Sequence, residues 1–318
     1  MENFPSVIMA NGNAHLGGNP TTLWQTIGDD VEQQLAQSGA VLLRGFGFTD
    51  AQDFDRLIAA TGWPGFTYAE SLSNAVRMNV TERVFTANEA PPEVAIHLHH
   101  EMAQTPIYPS RLLFFCEVAP GQGGATPICR SDLLHAKIAT ELPDFADKCQ
   151  RLGLRYTNIM PGFDDAASGQ GRSWASTLSV KTRAEAEAKL KVLGYEWGWG
   201  DDRALASGEE PTLRVTTSAM PAVRVLDDGT ISFFNQLIAA WIGWADTPED
   251  EPDKVTFGDG SSIDADDMAR VIALSEQVTA DCEWQQGDIA ILDNYRVMHG
   301  RRPFKGSRRV LASLIGSA

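Results

Sequence analysis

Cysteine is scarce in this sequence, and its spacing excludes several common uses of sulfur. The 318 residues include four cysteines, none of them in a CxxC pair: Cys116, Cys129, Cys149 and Cys282. A zinc ribbon or a disulfide framework needs closer, paired cysteines. We therefore expect reduced structural thiols, which are typical of a cytoplasmic protein.

Long hydrophobic runs are also missing. The apolar stretches, such as those at 112–116 and 289–292, are far shorter than the roughly 20 residues that cross a bilayer. The first residues, MENFPSVIMANGN, lack the basic start and the apolar core of a signal peptide. We therefore expect no membrane association and a cytoplasmic location.

Basic residues are outnumbered by acidic ones. Lys and Arg total 26 against 42 Asp and Glu, which gives a net charge of −16. This charge repels nucleic-acid phosphates and anionic membranes, so neither is expected as a partner. Hydrophobic residues make up 43% of the chain, enough for a substantial core. A small-molecule partner stays open, including an anion held at one local site.

The hydrophobic pattern predicts one domain that is mainly β with flanking helices, because many short strands alternate with longer excursions. The predicted segments are a helix–strand–helix unit at 29–75, strands at 76–130 and 210–318, and a helical and loop insertion with a lid at 131–209. The lid is placed at 158–177, which is rich in Gly, Ser and Asp, and at the residues around 64–80. Individual elements predicted from caps and spacing are helices at 29–38, 131–150, 181–192 and 266–279, and a strand at 75–80.

Three of the six histidines fall within the pentapeptide HLHHE at 97–101. Side chains two residues apart in a strand share a face, so His99 and Glu101 are expected to point together. His97 is expected on that face and His100 on the opposite one. An imidazole and a carboxylate so placed can chelate one divalent ion, and a further histidine would complete the 2-His-1-carboxylate arrangement of non-haem iron oxygenases.

Three histidines outside the pentapeptide could supply the remaining ligand: His15, His135 and His299. His135 lies in a predicted helix and His15 in a segment rich in Gly and Asn. His299 closes a predicted strand, where it can face the rim of a barrel, so elimination favours it. A zinc-peptidase site is not expected, because the HExxH pattern that begins at His100 is broken by Gln104.

Two longer segments resemble one enzyme family. They are IHLHHEMAQTPIYPSRLLFFCEVAPGQGGATPI at 96–128 and GDIAILDNYRVMHGRRPFKGSRRVLAS at 287–313. Both are similar to the Fe(II)- and 2-oxoglutarate-dependent oxygenases of the TauD/TfdA type, and within that group to the SyrP-like branch of natural-product hydroxylases. GAVLLRGF at 39–46 and SFFNQL at 232–237 also match, so the resemblance covers about residue 29 to the C-terminus. It implies a double-stranded β-helix (jelly-roll) core.

The resemblance assigns roles to individual residues. Those that match the family's iron ligands are His99, Glu101 and His299. Arg309 matches the arginine that binds the distal carboxylate of 2-oxoglutarate, and Thr126 matches a threonine that hydrogen-bonds the same cosubstrate. A guanidinium fork suits a carboxylate, and only one of two adjacent arginines can point into a barrel. The family position favours Arg309, which leaves Arg308 as an exterior charge.

The resemblance implies a dioxygenase that uses Fe(II), 2-oxoglutarate and O2. Its expected reaction is hydroxylation of an unactivated C–H bond in an amino acid or amino-acid-derived metabolite, free or tethered to a carrier protein, with release of succinate and CO2. Glu101 stands where halogenases of the family have Ala or Gly, so halogenation is not expected. Desaturation or cyclisation at the same site stays open, as does a metal-binding jelly-roll protein without oxygenase activity.

Overall fold

The computed structural model describes residues 4–10, 19–87, 90–165, 171–200, 210–243 and 254–317. Its helices are Pro20–Ser38 (α1), Ala51–Thr61 (α2), Ser131–Glu141 (α3), Pro143–Leu152 (α4), Trp174–Leu178 (α5), Arg183–Leu193 (α6), Leu237–Ile242 (α7) and Ala265–Gln277 (α8), and Tyr68–Glu70 forms a 3-10 turn.

The strands are short, as the sequence pattern predicts. They are Ser6–Met9 (β1), Ala40–Arg44 (β2), Gly65–Phe66 (β3), Phe85–Thr86 (β4), Ile96–His99 (β5), Arg111–Val118 (β6), Gln122–Gly123 (β7), Thr126–Arg130 (β8), Leu154–Met160 (β9), Glu196–Trp199 (β10), Leu213–Thr216 (β11), Arg224–Val225 (β12), Ile231–Ser232 (β13), Val255–Phe257 (β14), Thr279–Cys282 (β15), Ile289–Asp293 (β16), Val297–Arg301 (β17), Phe304–Lys305 (β18) and Arg309–Ile315 (β19).

Two mainly antiparallel sheets form the jelly-roll core that the resemblance implies. The larger sheet has the order β1–β2–β16–β6–β19–β3, and β4 also pairs with β19. The smaller sheet has the order β15–β8–β17–β5. Within these two sheets only β1 and β2 pair in parallel. The prediction of a mainly β fold with flanking helices is confirmed.

The larger sheet is buried on both faces. In β6, Leu113 and Phe115 point outward and join Phe54 of α2 in one hydrophobic core. Leu112 and Phe114, which alternate with these two residues along β6, point inward and line a cavity. Because side chains alternate along a strand, each central strand serves both cores. This strand pattern fixes which residues can reach the cavity.

The smaller sheet is covered on its outer face by helices of the insertion and of the C-terminal third. Leu98, Cys129 and Met298 pack there against Ile138 of α3 and Val271 of α8. Beyond this core, β9 belongs to a separate sheet with the order β10–β11–β9–β14. Residues of β9 line the cavity as well, so this extra sheet extends its wall.

Most predicted elements are confirmed, although several bounds differ. Helix α1 begins at Pro20 rather than at 29, because the Asn19 side chain caps it by accepting two backbone N–H groups. The helix predicted at 131–150 is divided into α3 and α4 at Pro143, which starts the second helix without needing an N–H partner. The strand predicted at 75–80 is wrong, since this segment makes only an isolated bridge at Asn79.

No helix in the described part of the chain combines the length and the apolar character needed to span a bilayer.

Candidate active site

The structure brings His99, Glu101 and His299 together. His99 of β5 lies opposite His299 of β17 in the antiparallel register, and their ring centroids are 4.3 Å apart. Glu101 Oε2 lies 3.8 Å from Nε2 of His99 and 3.5 Å from Nε2 of His299. One candidate ligand atom from each of the three residues lies within 4.8 Å of the other two. Among the described residues, this is the one group of histidine, cysteine and carboxylate side chains that is arranged to hold a metal ion. This is the convergence that the sequence predicts.

The backbone around these residues is locally unusual. A Cβ on Gly300 would lie only 2.4 Å from the carbonyl oxygen of Ile96, so a side chain there would force β17 away from β5. Met102, just after Glu101, has a φ of 59°, in the left-handed region that non-glycine residues seldom adopt. Strained backbone of this kind clusters at functional sites, where the surrounding structure holds it in place.

A bulge between β5 and β17 corrects one prediction. His299 pairs with His99 and Arg301 pairs with Ile96, so β5 carries one more residue than β17 between these pairs. As a result Ile96 and His99 both line the cavity, whereas His97 does not. The prediction that His97 shares the face of His99 is therefore wrong.

Glu101 is held in place by hydrogen bonds from two distant residues. The Tyr68 hydroxyl donates to Oε1 at 3.0 Å. The Asn294 side chain accepts from the Glu101 backbone N–H at 2.8 Å and donates to its carbonyl at 3.1 Å. Burial raises the pKa of Glu101, but the neighbouring histidines lower it more strongly, to about 2. Oε2 is therefore a charged oxygen directed at both histidines.

The donor set fits a divalent cation. His99 Nδ1 lies 2.8 Å from the carbonyl oxygen of His97, which can only accept, so this nitrogen carries the proton. Burial lowers the pKa of His99 to about 4, so the ring is neutral near pH 7 and Nε2 presents a lone pair. That lone pair faces the acceptor Oε2 of Glu101. Two acceptors aimed at each other are satisfied by a metal ion between them.

His100 lies on the opposite face of the strand end, as predicted. Its side chain is fully buried, with Nε2 at 2.7 Å from the Ser131 hydroxyl and its ring 4.7 Å from that of Phe234. The residue ties the end of β5 to α3 behind the metal-ligand candidates. Of the remaining histidines, His135 lies in α3 outside the cavity lining, and His15 lies outside the described residues.

The prediction that Arg309 points into the barrel is wrong. Its guanidinium pairs with Glu117, and its side chain is 51% exposed. Arg308, expected as an exterior charge, lines the cavity instead. Its Nε donates to the Gly124 carbonyl at 2.9 Å and its Nη2 to the Thr126 hydroxyl at 3.4 Å. Burial lowers the pKa of Arg308 to about 10, still far above neutral pH.

Alternation along β19 explains the exchange. Val310, Ala312 and Leu314 line the cavity, while Leu311 packs in the outer core. The same two-residue period places Arg308 inside and its neighbour outside. Thr126 lies in the cavity wall as predicted, where its hydroxyl also accepts from the Trp284 indole at 3.0 Å.

The cavity has a volume of about 480 Å³. Besides the two jelly-roll sheets, its wall includes Tyr68, Arg77, Asn158 and Pro161. These residues belong to two segments, 64–80 and 158–177, that the sequence indicates as a lid. Both segments contribute to the wall, although residues 166–170 lie outside the described residues, and the lid function stays a prediction.

The cavity residues that the sequence motifs miss include Tyr68, Arg77 and Arg308. Arg308 could be found from the alternation of β19 once one inward residue is known. Tyr68 is separated from Glu101 by 33 positions in the sequence, and no local sequence pattern predicts their contact. Arg77 falls in the segment that was expected to be a strand and carries no motif.

A jelly roll with two histidines and a carboxylate converging on an internal cavity defines the class of the non-haem iron oxygenases. The family model for the taurine catabolism dioxygenase TauD, TfdA family matches residues 13–314. The chain belongs to this family. It is therefore a 2-oxoglutarate-dependent dioxygenase whose cofactor is iron.

Individual relatives span most of the chain. A clavaminate synthase-like protein of Arabidopsis thaliana is 37% identical over 286 residues, which cover 89% of this chain and 83% of that protein. The dapdiamide synthesis protein DdaC of Enterobacter agglomerans is 28% identical over 298 residues, 90% of this chain and 84% of that protein. The crystal structure of PvcB from Pseudomonas aeruginosa has the same fold, with a TM-score of 0.52, 17% identity, and coverage of 98% of this chain and 85% of that one.

Proposed function

We propose that Arg308 and Thr126 bind the distal carboxylate of 2-oxoglutarate, and that the three residues His99, Glu101 and His299 bind Fe(II). The observation that carries the proposal is the half-buried guanidinium of Arg308. It lies in the same cavity as the metal-ligand candidates and pairs with no carboxylate of the described residues. A partly desolvated arginine without a counter-charge is unfavourable, so the cavity fits an anion.

The chemistry of this corner suits a carboxylate in particular. A guanidinium presents parallel N–H donors to the two oxygens, and the adjacent Thr126 hydroxyl adds another hydrogen-bonding group. Arg308 thus takes the role that the resemblance gives to Arg309. The metal site and Arg308 would then hold opposite ends of 2-oxoglutarate, which is a small dicarboxylate.

The reaction we propose is hydroxylation of an unactivated C–H bond, with release of succinate and CO2. Iron, when bound, supplies the oxidation by O2 that is coupled to decarboxylation of 2-oxoglutarate. The protein positions the reactants: Arg308 orients the cosubstrate, and Leu112 and Phe114 provide an apolar wall that keeps water from the target carbon.

An amino acid or an amino-acid-derived metabolite is the proposed substrate, free or tethered to a carrier protein. The relative named for dapdiamide synthesis supports a role in biosynthesis. A cavity of about 480 Å³ is at the small end of ligand sites, which typically measure about 300–1,000 Å³. It suits a small metabolite beside the cosubstrate.

We also propose that residues 1–318 act as one catalytic domain in the cytoplasm. The described cavity wall runs from Tyr68 to Leu314, so it draws on nearly the whole chain. The four cysteines are free and buried, which suits a reducing compartment.

The test is 2-oxoglutarate turnover by the purified protein with a panel of amino acids, followed by mass spectrometry. Succinate formation should require Fe(II), and His99→Ala should abolish it. A product that gains one oxygen atom supports hydroxylation, whereas loss of two hydrogen atoms indicates desaturation or cyclisation. If the Fe(II)-loaded protein neither binds 2-oxoglutarate nor forms succinate, the proposed function is wrong.

A further inference from the structure

Arg77 lies in the cavity wall beside the metal-ligand candidates. Its guanidinium carbon is 5.1 Å from the centroid of the Tyr68 ring, and its Nη1 donates to the Val76 carbonyl at 2.7 Å. The same tyrosine donates its hydroxyl to Glu101 at 3.0 Å. The width of one side chain therefore separates Arg77 from the proposed iron ligands. Its positive charge helps to lower the pKa of both Glu101 and His99.

Neither a structural ion pair among the described residues nor the proposed cosubstrate site accounts for the charge of Arg77. The arginine is half-buried and forms no ion pair with a carboxylate of the described residues. Arg301, another arginine of the cavity wall, differs in that its guanidinium donates to three backbone carbonyls at 2.7–2.8 Å. Arg308 is already assigned to 2-oxoglutarate. Arg77 instead makes a cation–π contact with the Tyr68 ring, which holds a guanidinium in place without neutralising its charge.

The charge of the cavity wall also favours an anionic group on the substrate. Its described lining contains four cationic and two anionic side chains: Arg77, Lys254, Arg301 and Arg308, and Glu101 and Asp165. The resulting charge of +2 stands inside a chain of net charge −16. Fe(II) and the 2-oxoglutarate dianion add charges that cancel. A substrate without an anionic group would leave Arg77 without a counter-charge in a partly desolvated site.

We propose that Arg77 binds a carboxylate group of the substrate and thereby places the neighbouring carbon atoms before the metal site. This inference rests on the proposed function and narrows its substrate class to carboxylates. In this arrangement the substrate carboxylate and the cosubstrate carboxylate are held by different arginines, Arg77 and Arg308. The enzyme can then distinguish the two carboxylates by the arginine that binds each one, although both carry the same charge.

The experiment measures binding without turnover. Protein loaded with Fe(II) and 2-oxoglutarate is titrated under anaerobic conditions with the L-amino acids and with their primary amides. The wild type should bind at least one amino acid more tightly than its amide, by about 10- to 100-fold, because the amide lacks the charge-assisted hydrogen bonds. Arg77→Gln should reduce this preference to within about threefold, and Arg77→Lys should keep part of it because the charge remains.

Arg56→Gln serves as the control, since Arg56 lies on the surface of α2 with its side chain 55% exposed, and it should keep the wild-type preference. Thermal unfolding of each variant shows that the fold is intact. The inference is wrong if the wild type binds no carboxylate of the panel, if acid and amide bind equally, or if Arg77→Gln keeps the preference. It is also wrong if Arg77→Gln weakens 2-oxoglutarate binding as much as Arg308→Gln does. The proposed function fails separately, through absence of 2-oxoglutarate binding in the wild type.

Discussion

Two adjacent arginines, Arg308 just before β19 and Arg309 at its first position, lie in opposite environments. Arg309 meets Glu117 at the surface, where an ion pair contributes little to stability. Arg308 is half-buried against the Gly124 carbonyl and the Thr126 hydroxyl, and both of these are neutral. A difference of one residue therefore separates a solvated ion pair from a cation of the cavity wall that pairs with no carboxylate of the described residues.

Exchanging each arginine for glutamine should separate their roles. Arg308→Gln should raise the Kd of the Fe(II)-loaded protein for 2-oxoglutarate by about 10- to 100-fold, because it removes a charge-assisted, forked contact. Arg309→Gln should leave the Kd within about twofold. Anaerobic calorimetry measures both. An equal loss in the two variants would contradict the inward assignment of Arg308.

Tyr68 contacts the metal-ligand candidate Glu101 through its hydroxyl, and we predict that this contact orients the carboxylate. Tyr68→Phe removes the donor to Oε1, so the carboxylate can rotate and its affinity for the metal falls. We expect iron binding to weaken by about 10-fold, within the range seen when groups that orient a metal ligand are lost. Competition with a chromogenic chelator measures it. The control is Tyr295→Phe, because the Tyr295 hydroxyl bonds, within the described part of the chain, to the exposed Ser317. This variant should keep the wild-type affinity, and an equal effect there would disprove the role of Tyr68.

At the scale of elements, the 3-10 turn and the chain after it depend on one side chain from another part of the molecule. Arg172, next to α5, donates from Nη1 to the carbonyls of Tyr68 and Ser73 at 2.9 and 2.7 Å, and from Nη2 to that of Ser176 at 2.8 Å. It thereby joins the segment that carries Tyr68 and Arg77 to the insertion. Burial lowers its pKa.

Arg172→Met should loosen this segment without emptying the core. The three carbonyls lose their donors, at a cost of about 1–3 kcal/mol for each acceptor that stays buried. Hydrogen exchange should become faster at 68–77, while amides of β6 and β16 keep their protection. Arg151→Met, at an exposed pair on α4, is the matched control. Unchanged exchange at 68–77 would show that Arg172 does not hold the segment.

Some of the contacts between these elements can be predicted from the sequence, and others cannot. The meeting of His99 with Glu101 follows from local spacing, and the pairing of His99 with His299 follows from a family motif. The direction of Arg308 does not follow, because both faces of β19 are buried: Leu311 packs under the helices and Val310 faces the cavity. A run of apolar residues on a strand buried on both faces carries no sign of which face is inner. The contacts of Tyr68 and Arg172 join segments that are distant in sequence, so the hydrophobic periodicity of the sequence does not predict them.

At the scale of the whole molecule, charge is separated between surface and cavity. The chain carries −16 overall, whereas the described cavity lining carries +2. The acidic surface repels anionic polymers, while the local cations can still hold small carboxylates that enter the cavity. Net charge is thus informative about macromolecular partners and uninformative about the cosubstrate.

Acid should destabilise the iron-free protein well before its carboxylates are protonated. Burial lowers the pKa of His99 to about 4 and that of His100 to about 3, so between these values and the unfolded value near 6.5 the unfolded chain binds more protons. Stability is then full above about pH 6.5 and falls as the pH decreases, by up to about 1.4 kcal/mol per histidine and pH unit.

Approach to the pI of 4.7 relieves repulsion and opposes this trend, but surface charges are screened and the buried rings are not. The pKa of Glu101 is lowered to about 2, so it adds a loss only below its usual range. Urea unfolding in chelator should show a decrease of about 2–3 kcal/mol from pH 7.5 to 5.5, and equal or greater stability at pH 5.5 would mean that these rings are not buried in the neutral form.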